Sequence, residues 1–300
     1  MHHRYSTIAA LFTIALATSA LAAPTLPGIN IRWDNCYADG GVMNKSFACD
    51  TNSGSELMVL SVQLDSDMDR VSGVELRVSL KPAAPALPAW WDFMSAGSCR
   101  QTSLIYIPSP MLPEGNCQDW GQGLEQGALP STGYHVGQIG PGSAVAFPIA
   151  AVPQSTLQTL SAGIEYVVGA LRMNHARSVG DACAGCATPV CILFTSLKLT
   201  TSLPRADRLL TQGANDVASQ IIHWQNGQLT NLVNHCNGTF DCSTQFDCLA
   251  IASTTAARRN TWGAVKSLYR WRRAPCVASC PCSSWSPWRF RPWRSRAGPA

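Results

Sequence analysis

Short runs of apolar residues, broken by polar and turn-forming residues, fill the middle of the chain. In several runs the hydrophobic and polar positions partly alternate, which is the pattern of a strand with one face in the core. The polar stretch 65–70 between the first two runs predicts a hairpin or a pair of adjacent strands. The predicted strands are 56–64, 71–80, 103–107, 135–139, 144–149, 164–173 and 190–200.

Strands at this short spacing, separated by Gly, Pro, Ser and Asn, predict an all-β fold: an antiparallel β-sandwich of Ig-like or jelly-roll-like type. Charged residues make up only 13% of the chain, and 23 glycines with 19 prolines favour many turns. Helical patterns are short and occur at 154–160 and within 203–228. Thr261 can cap a further helix with an apolar face at 262–269, which predicts a short helical C-terminal extension.

The N-terminus predicts export. Arg4 precedes the uncharged apolar run 8–20, and Ala20-Leu21-Ala22 provides small residues at a signal-peptidase site. Residues 1–22 are therefore predicted to be a signal peptide, and we expect a secreted or cell-surface protein. The predicted mature chain consists of a β-sandwich at 23–202, a cysteine-containing extension at 203–250 and a basic tail at 251–300.

Charge divides the mature chain into two parts. Residues 23–248 carry 11 Lys and Arg against 18 Asp and Glu, whereas residues 249–300 carry ten basic residues and no acidic one. A basic tail can attach a protein to an anionic cell envelope, while nucleic acid is not expected as a partner. Residues 271–300 consist almost wholly of Arg, Pro, Trp, Ser, Cys and Ala. This composition also fits an unfolded segment or the read-through of a GC-rich gene.

The chain has 13 cysteines, and in an exported protein they indicate disulfides. Cys36 with Cys49 and Cys99 with Cys117 form local candidate pairs, and the connectivity of the others stays open. The spacing of Cys183 and Cys186 also allows a redox or zinc site, but the motif lies between Gly180 and Pro189 ahead of a strand, so a disulfide scaffold is favoured. The disulfide candidates are Cys36, Cys49, Cys99, Cys117, Cys183, Cys186, Cys191, Cys236, Cys242 and Cys248.

The sequence has no GxSxG, HExxH, P-loop or GxGxxG motif. A non-catalytic binding or structural protein is therefore favoured, with a secreted hydrolase that lacks a recognisable motif as the alternative. No cofactor is predicted except Ca²⁺, because Asp65, Asp67 and Asp69 alternate in a turn between strands and can converge on a cation. The alternative for these carboxylates is a solvated polar turn.

Trp90 and Trp91, flanked by Pro88 and Phe93, are the candidate binding residues. Adjacent rings in a strand face opposite sides, so one ring would be buried and the other exposed to an extracellular glycan or protein. In the other arrangement both rings pack beneath a loop.

Three segments resemble a group of uncharacterised secreted bacterial proteins: RWDNCYADGG at 32–41, LPAWW at 87–91 and CAGCATPVCI at 183–192. These proteins end in a peptide similar to TWGAVKSLYR at 261–270. The resemblance covers 31–224 and this peptide. It implies a natural end at Arg270 but no particular function.

Overall fold

The computed structural model describes residues 27–214, 217–236 and 242–250. In these ranges the helical segments are short 3-10 turns at Ala89–Trp91, Ser131–Gly133, Gln154–Thr156, Asp181–Cys183 and Val217–Gln220. The strands in chain order are β1 (Gly28–Trp33), β2 (Asn44–Lys45), β3 (Ser55–Gln63), β4 (Met68–Pro82), β5 (Leu104–Ile107), β6 (Gln118–Asp119), β7 (Gln126–Ala128), β8 (Tyr134–Val136), β9 (Ala144–Ala146), β10 (Ile149–Ala151), β11 (Gln158–Leu160), β12 (Glu165–Asn174), β13 (Val190–Thr201), β14 (Arg208–Leu210), β15 (Ile221–Trp224), β16 (Gly227–Cys236) and β17 (Cys242–Ala250).

These strands form two mainly antiparallel sheets and one hairpin. The first sheet has the order β1-β3-β12-β5, with β6 also paired to β12. The second sheet has the order β2-β15-β13-β4-β10-β7, and β8, β9, β11 and β14 branch from it. β16 and β17 pair with each other. The predicted all-β antiparallel sandwich is confirmed.

β3 and β4 follow one another in the chain but lie in different sheets. β3 pairs with β1 and β12, whereas β4 pairs with β13 along most of its length. The predicted hairpin is therefore wrong, because the polar turn after β3 carries the chain across the sandwich. The hydrophobic pattern identified both strands but carried no information about their partners.

The outer side of β3 is also covered, which explains why its sequence is nearly continuously apolar. Val59 packs with Cys36 and Val167 in a small buried cluster outside the main core. The covering loop is held by the buried Glu165 carboxylate, which accepts hydrogen bonds from the backbone N–H groups of Tyr37 at 3.1 Å and Ala38 at 2.8 Å. A strand that is buried on both faces loses the polar half of its alternation.

Several predicted boundaries differ from the structure. The helix predicted at 154–160 is a 3-10 turn followed by β11. Strands β14 and β15 both pair with β13 in the second sheet, so the predicted domain boundary at residue 202 falls inside that sheet. The predicted helix at 262–269, the signal peptide and the basic tail lie outside the described residues.

Four disulfides join the described elements: Cys36–Cys117, Cys49–Cys186, Cys99–Cys183 and Cys191–Cys248. The two predicted local pairs are wrong, since neighbouring cysteines in the sequence bond to distant segments. A short loop closes with little entropy cost in an unfolded chain, but the folded sheets determine which sulfur atoms meet. The side chains of Cys236 and Cys242 lie outside the description.

The four disulfides fit a protein that folds outside the cytoplasm. In the described part of the chain, no helix has the length and apolar character needed to cross a membrane.

Candidate functional site

The alternating strand β4 gives the second sheet a core face and an outer face. Val74, Leu76 and Val78 are at most 2% exposed and belong to the core. The positions between them therefore lie on the outer face of the pleat, with Glu75 and Arg77 at its centre. This outer face carries the concave surface that we consider as the functional site.

A groove of about 580 Å³ crosses the outer face from β13 to the edge strand β7. Gly73 of β4 lies between Thr200 of β13 and Ala151 of β10, and Ala151 is paired in turn with Gln126 of β7. We call this concavity the sheet groove. Its lining residues are Gly73, Val74, Glu75, Gln126, Gly127, Ala128, Pro130, Ile149, Ala150, Ala151 and Thr200.

The floor of the sheet groove is open because its residues are small. A Cβ atom on Gly73 would lie 2.9 Å from both the Ala150 carbonyl oxygen and Thr200 Oγ1, which is closer than real Cβ contacts. Glycine therefore brings the backbones of three strands to the groove surface. Glu75, Gln126 and Thr200 surround this floor with hydrogen-bonding side chains.

A second, smaller cleft of about 140 Å³ shares Glu75 with the sheet groove. Its wall is the half-buried ring of Phe147, whose centroid lies 5.4 Å from Arg77 Cζ and 5.6 Å from the centroid of the exposed His135 ring. A phenyl ring beside polar side chains offers a flat apolar surface for a ligand that also needs hydrogen bonds. The two concavities lie next to each other on either side of Glu75, and we call them together the trough.

Charges beside the trough are largely paired. Lys198 Nζ lies 3.0 Å from Glu75 Oε1 and 3.6 Å from Asp207 Oδ2. The hydrogen bond to Glu75 raises the pKa of Lys198 above its ordinary value, although burial of the amine opposes this shift. The trough therefore presents a mainly apolar surface with a few hydrogen-bonding side chains and compensated charge, rather than a strong field of one sign.

A buried carboxyl pair lies immediately before β7. Glu125 is 2% exposed, and neither of its carboxyl oxygens accepts a hydrogen bond from any described residue. Burial, followed by the influence of the nearby Asp119 carboxyl, raises the pKa of Glu125 to about 7. Paired carboxyls with a raised pKa occur in catalytic sites, but a side chain this deeply buried cannot reach a substrate in the trough.

The structure places both predicted binding residues in the interior. Trp90 and Trp91 are fully buried on a 3-10 turn rather than a strand. Their ring centroids lie 5.1 Å apart, and the Trp90 ring stacks on Trp224 at 5.6 Å. The expectation of one exposed ring is wrong, and the other arrangement, in which both rings are packed inside, is present. A turn lacks the two-sided geometry of a strand, so adjacent rings can share one side.

Arg100 is a buried residue that sequence reasoning missed. Its guanidinium is 1% exposed and lies over the Trp90 ring, with Cζ 3.6 Å from the ring centroid. Nη2 donates a hydrogen bond to the Asn174 carbonyl at 2.6 Å. Burial lowers the pKa of Arg100 to about 9, which leaves the side chain charged at neutral pH. No sequence signal distinguishes it from a surface arginine.

The three predicted calcium ligands have separate partners. Asp65 forms an ion pair with Arg208 at 2.5 Å. Asp67 accepts a hydrogen bond from the Ala162 backbone N–H at 2.8 Å, and Asp69 accepts one from Thr159 at 3.0 Å. The Arg208 guanidinium hydrogen bond lowers the pKa of Asp65. Each of the three carboxylates therefore has a partner of its own in the described geometry, and the calcium site stays a prediction.

Another group with metal-ligand spacing is Cys36, Asp39 and Cys117, but its two cysteines are bonded to each other. The CxxC cysteines Cys183 and Cys186 bond to Cys99 and Cys49 rather than to each other. These sulfur atoms are therefore part of the scaffold, and disulfide sulfur does not provide the thiolate that zinc or redox exchange requires.

The residues of the trough were also missed by the sequence analysis, although a signal for them exists. Gly73, Glu75 and Arg77 alternate with apolar residues within a predicted strand. This alternation marks the outer face of the second sheet. It does not show that β7 and β10 bring further small residues beside that face, because their separation in the chain conceals the pairing.

Comparisons with known proteins give little further information. No protein-family model matches the chain, and no curated protein matches it. A search of solved structures finds a protein described as "AvmM Catalyzes Macrocyclization in Alchivemycin A Biosynthesis", with a TM-score of 0.30 and 5% sequence identity over 76% of this chain and 91% of that chain. A similarity at this level carries no argument about function.

Proposed function

We propose that this protein is a secreted, non-catalytic module that binds an extracellular oligosaccharide in the trough along β4. The observation that carries this proposal is that the sheet groove and the Phe147 cleft are neighbours that share Glu75 as a lining residue. The signal peptide predicted from the sequence and the four disulfides support an extracellular setting.

The chemistry of the trough favours a neutral oligosaccharide over a strongly charged polymer. Small residues on the floor leave space for a sugar ring, and Phe147 supplies a face for its C–H groups. Glu75, Gln126 and Thr200 provide acceptors and donors for hydroxyl groups. Lys198 is engaged by carboxylates, so the trough gives little net attraction to a polyanion.

The test is a panel of neutral and acidic oligosaccharides, followed by titration calorimetry with any ligand that binds. We expect Ala151→Tyr, which fills the sheet groove from an exposed position, to weaken binding by about tenfold or more. Phe147→Ala removes the ring of the second cleft and should have a similar effect. Ala162→Tyr adds the same bulk at an exposed alanine outside the trough and serves as the matched control.

Two results would contradict the proposal. The first is that the wild-type protein binds no oligosaccharide in the panel. The second is that Ala151→Tyr and Phe147→Ala bind as tightly as Ala162→Tyr.

The alternative of a secreted hydrolase rests on one observation: Glu75 and Asp207 approach the same Lys198 amine, so two carboxylates lie together beside the trough. A pair of carboxylates is the machinery that most glycosidases use. If the wild-type protein releases sugar from a bound ligand and Glu75→Gln binds it without release, the hydrolase function replaces the binding function.

A further inference from the structure

The edge strand β7 is held at one end by the turn 119–125, and this turn contains the buried carboxyl pair. Both carboxyls pack around Gly121. Its N–H donates to Asp119 Oδ1 at 3.2 Å, and a Cβ atom on Gly121 would lie only 2.1 Å from Glu125 Oε2. The chain therefore needs a glycine here to let the two side chains approach.

The two carboxyls differ in their hydrogen bonds. Asp119 Oδ2 accepts from Ser109 Oγ at 2.5 Å and from the Gly123 N–H at 3.0 Å, in addition to the Gly121 bond on Oδ1. These donors satisfy both oxygens of the Asp119 carboxyl. Glu125 has no such donors on its two buried oxygens, so its negative charge would be uncompensated beside a second carboxylate.

Among the described residues, the groups that shift the pKa values around the pair include no cation. Tyr106 on β5 lies close enough for Glu125 and Asp119 to raise its pKa further, after the larger effect of its burial. Its hydroxyl donates to the Val168 carbonyl at 2.5 Å rather than to a carboxyl. The groups that act most strongly on Glu125 are Asp119, Ser109 and its own backbone, and none of these is a cation.

We propose that Glu125 is protonated where it lies buried beside the Asp119 carboxyl, and that loss of this proton releases β7 from the wall of the sheet groove. The step is a simple ionisation: the Glu125 O–H bond breaks, the proton goes to water, and two carboxylates remain in contact. Burial and repulsion then favour an arrangement in which Glu125 turns towards solvent. β7 follows Glu125 directly, has three exposed residues and pairs on one side with β10, so it is the element that moves with it.

The consequence for ligand binding rests on the proposed function, whereas the proton itself does not. When β7 separates from β10, the sheet groove loses Gln126, Gly127 and Ala128 from its lining. Ligand binding should therefore be tighter at mildly acidic pH than at mildly alkaline pH. The raised pKa of Glu125, about 7, places this change near neutrality.

The first experiment detects the proton in the intact protein without any ligand. Infrared difference spectra of the wild type between about pH 5.5 and about pH 8.5 should show a protonated-carboxyl band at the lower pH. Glu125→Gln should lack this band, whereas Glu114→Gln, which removes an exposed carboxyl, should retain it. If Glu125→Gln does not fold, the carbon-13 chemical shift of the Glu125 carboxyl in labelled wild-type protein gives the same information.

Hydrogen exchange by mass spectrometry tests the structural step. After correction for intrinsic rates, amides of 124–128 should exchange about tenfold faster at the higher pH in the wild type and equally at both pH values in Glu125→Gln. An ionised Glu125 at about pH 5.5, or exchange in 124–128 that does not depend on pH, overturns the proposal. So does calcium chloride that raises the melting temperature of the wild type but not of Glu125→Gln, because the pair would then hold a cation instead of a proton.

A binding titration at the two pH values separates the two proposals. If no oligosaccharide binds but the band and the exchange change as expected, the switch stands and the proposed function fails. If an oligosaccharide binds with the same affinity at both pH values in the wild type and in Glu125→Gln, the proposed link between the carboxyl pair and the groove is wrong.

Discussion

Arg100 and Glu125 pose the same physical problem in two regions of the sandwich. Each is an ionisable side chain, at most 2% exposed, without an oppositely charged partner in the described contacts. Arg100 keeps its charge because the Trp90 ring and the Asn174 carbonyl stabilise it. Glu125 can instead lose its charge by taking up a proton. A buried cation is thus a fixed part of one region, while a buried acid makes the other sensitive to pH.

The disulfides also distinguish the region around Arg100 from the region around Glu125. Cys99, the residue before Arg100, is bonded to Cys183, and Cys186 nearby in the chain is bonded to Cys49. No disulfide of the described residues lies within the segment from Asp119 to Ala128. The Cys36–Cys117 bond ends two residues before this segment, so it holds only the start of the groove wall. We therefore expect stability to be concentrated around the tryptophans, where two disulfides meet.

Removing the disulfide beside Arg100 should have the largest effect. Cys99→Ser with Cys183→Ser opens a cross-link between residues 84 positions apart. In the chain-entropy description this lowers the free energy of unfolding by about 4 kcal/mol, which chemical denaturation would measure. Cys191→Ser with Cys248→Ser is the control. It should preserve the near-ultraviolet circular dichroism of the buried tryptophans, and equal loss of this signal in both variants would contradict the assignment of stability to the tryptophan region.

Truncation of Arg100 should cause the second-largest loss in the free energy of unfolding. Arg100→Ala removes the group that covers Trp90 and should lower the free energy of unfolding by about 3 kcal/mol. Arg100→Met keeps much of the apolar volume without the buried charge, so its cost should be about 1 kcal/mol or less. Denaturant titrations of the two variants measure the difference. If Met is as damaging as Ala, the charge itself, rather than its packing, stabilises this region.

The pH dependence of stability should distinguish Glu125 from Arg100. Because the pKa of Glu125 is raised in the folded state, its stabilising contribution is complete below the unfolded value of 4.5 and is lost as pH rises to about 7. Relative to Glu125→Gln, the wild type should therefore lose about 2 kcal/mol between these pH values, allowing for partial screening by water. Thermal unfolding across this range provides the measurement. An identical pH profile for both proteins would show that Glu125 ionises normally.

The smallest effect is expected at the Glu75–Lys198 ion pair. Its side chains are 55% and 20% exposed, respectively, so Glu75→Gln should change the free energy of unfolding by about 0.5 kcal/mol or less, and added salt should reduce the effect. Denaturation at low and high salt tests this expectation. A loss as large as that of Arg100→Ala would mean that the trough, too, is a stabilising region.

The sequence predicts the strands of the sandwich better than their arrangement. β3, β4, β12 and β13 lie close to the predicted boundaries because their apolar periodicity is a local property of the chain. Sheet pairing and disulfide connectivity depend on contacts between distant segments, so the local pairs Cys36–Cys49 and Cys99–Cys117 were wrong. The trough belongs to the same class, because its lining comes from strands that are distant in the chain. Asp119 and Glu125 lie in one turn, but the burial that makes the pair unusual depends on the packing of the folded protein around it.

The disulfide pattern also has a consequence for biogenesis. If the predicted signal peptide exports this chain from its N-terminus, Cys36 meets Cys49, and Cys99 meets Cys117, before Cys183 and Cys186 arrive. Short loops close more readily than long ones, which favours these early but non-native bonds. The native partner of Cys49 lies 137 positions away, so wherever such local bonds form, maturation requires them to be broken and remade by thiol–disulfide exchange. The yield of folded protein should thus depend on a disulfide isomerase in the host rather than on an oxidant alone.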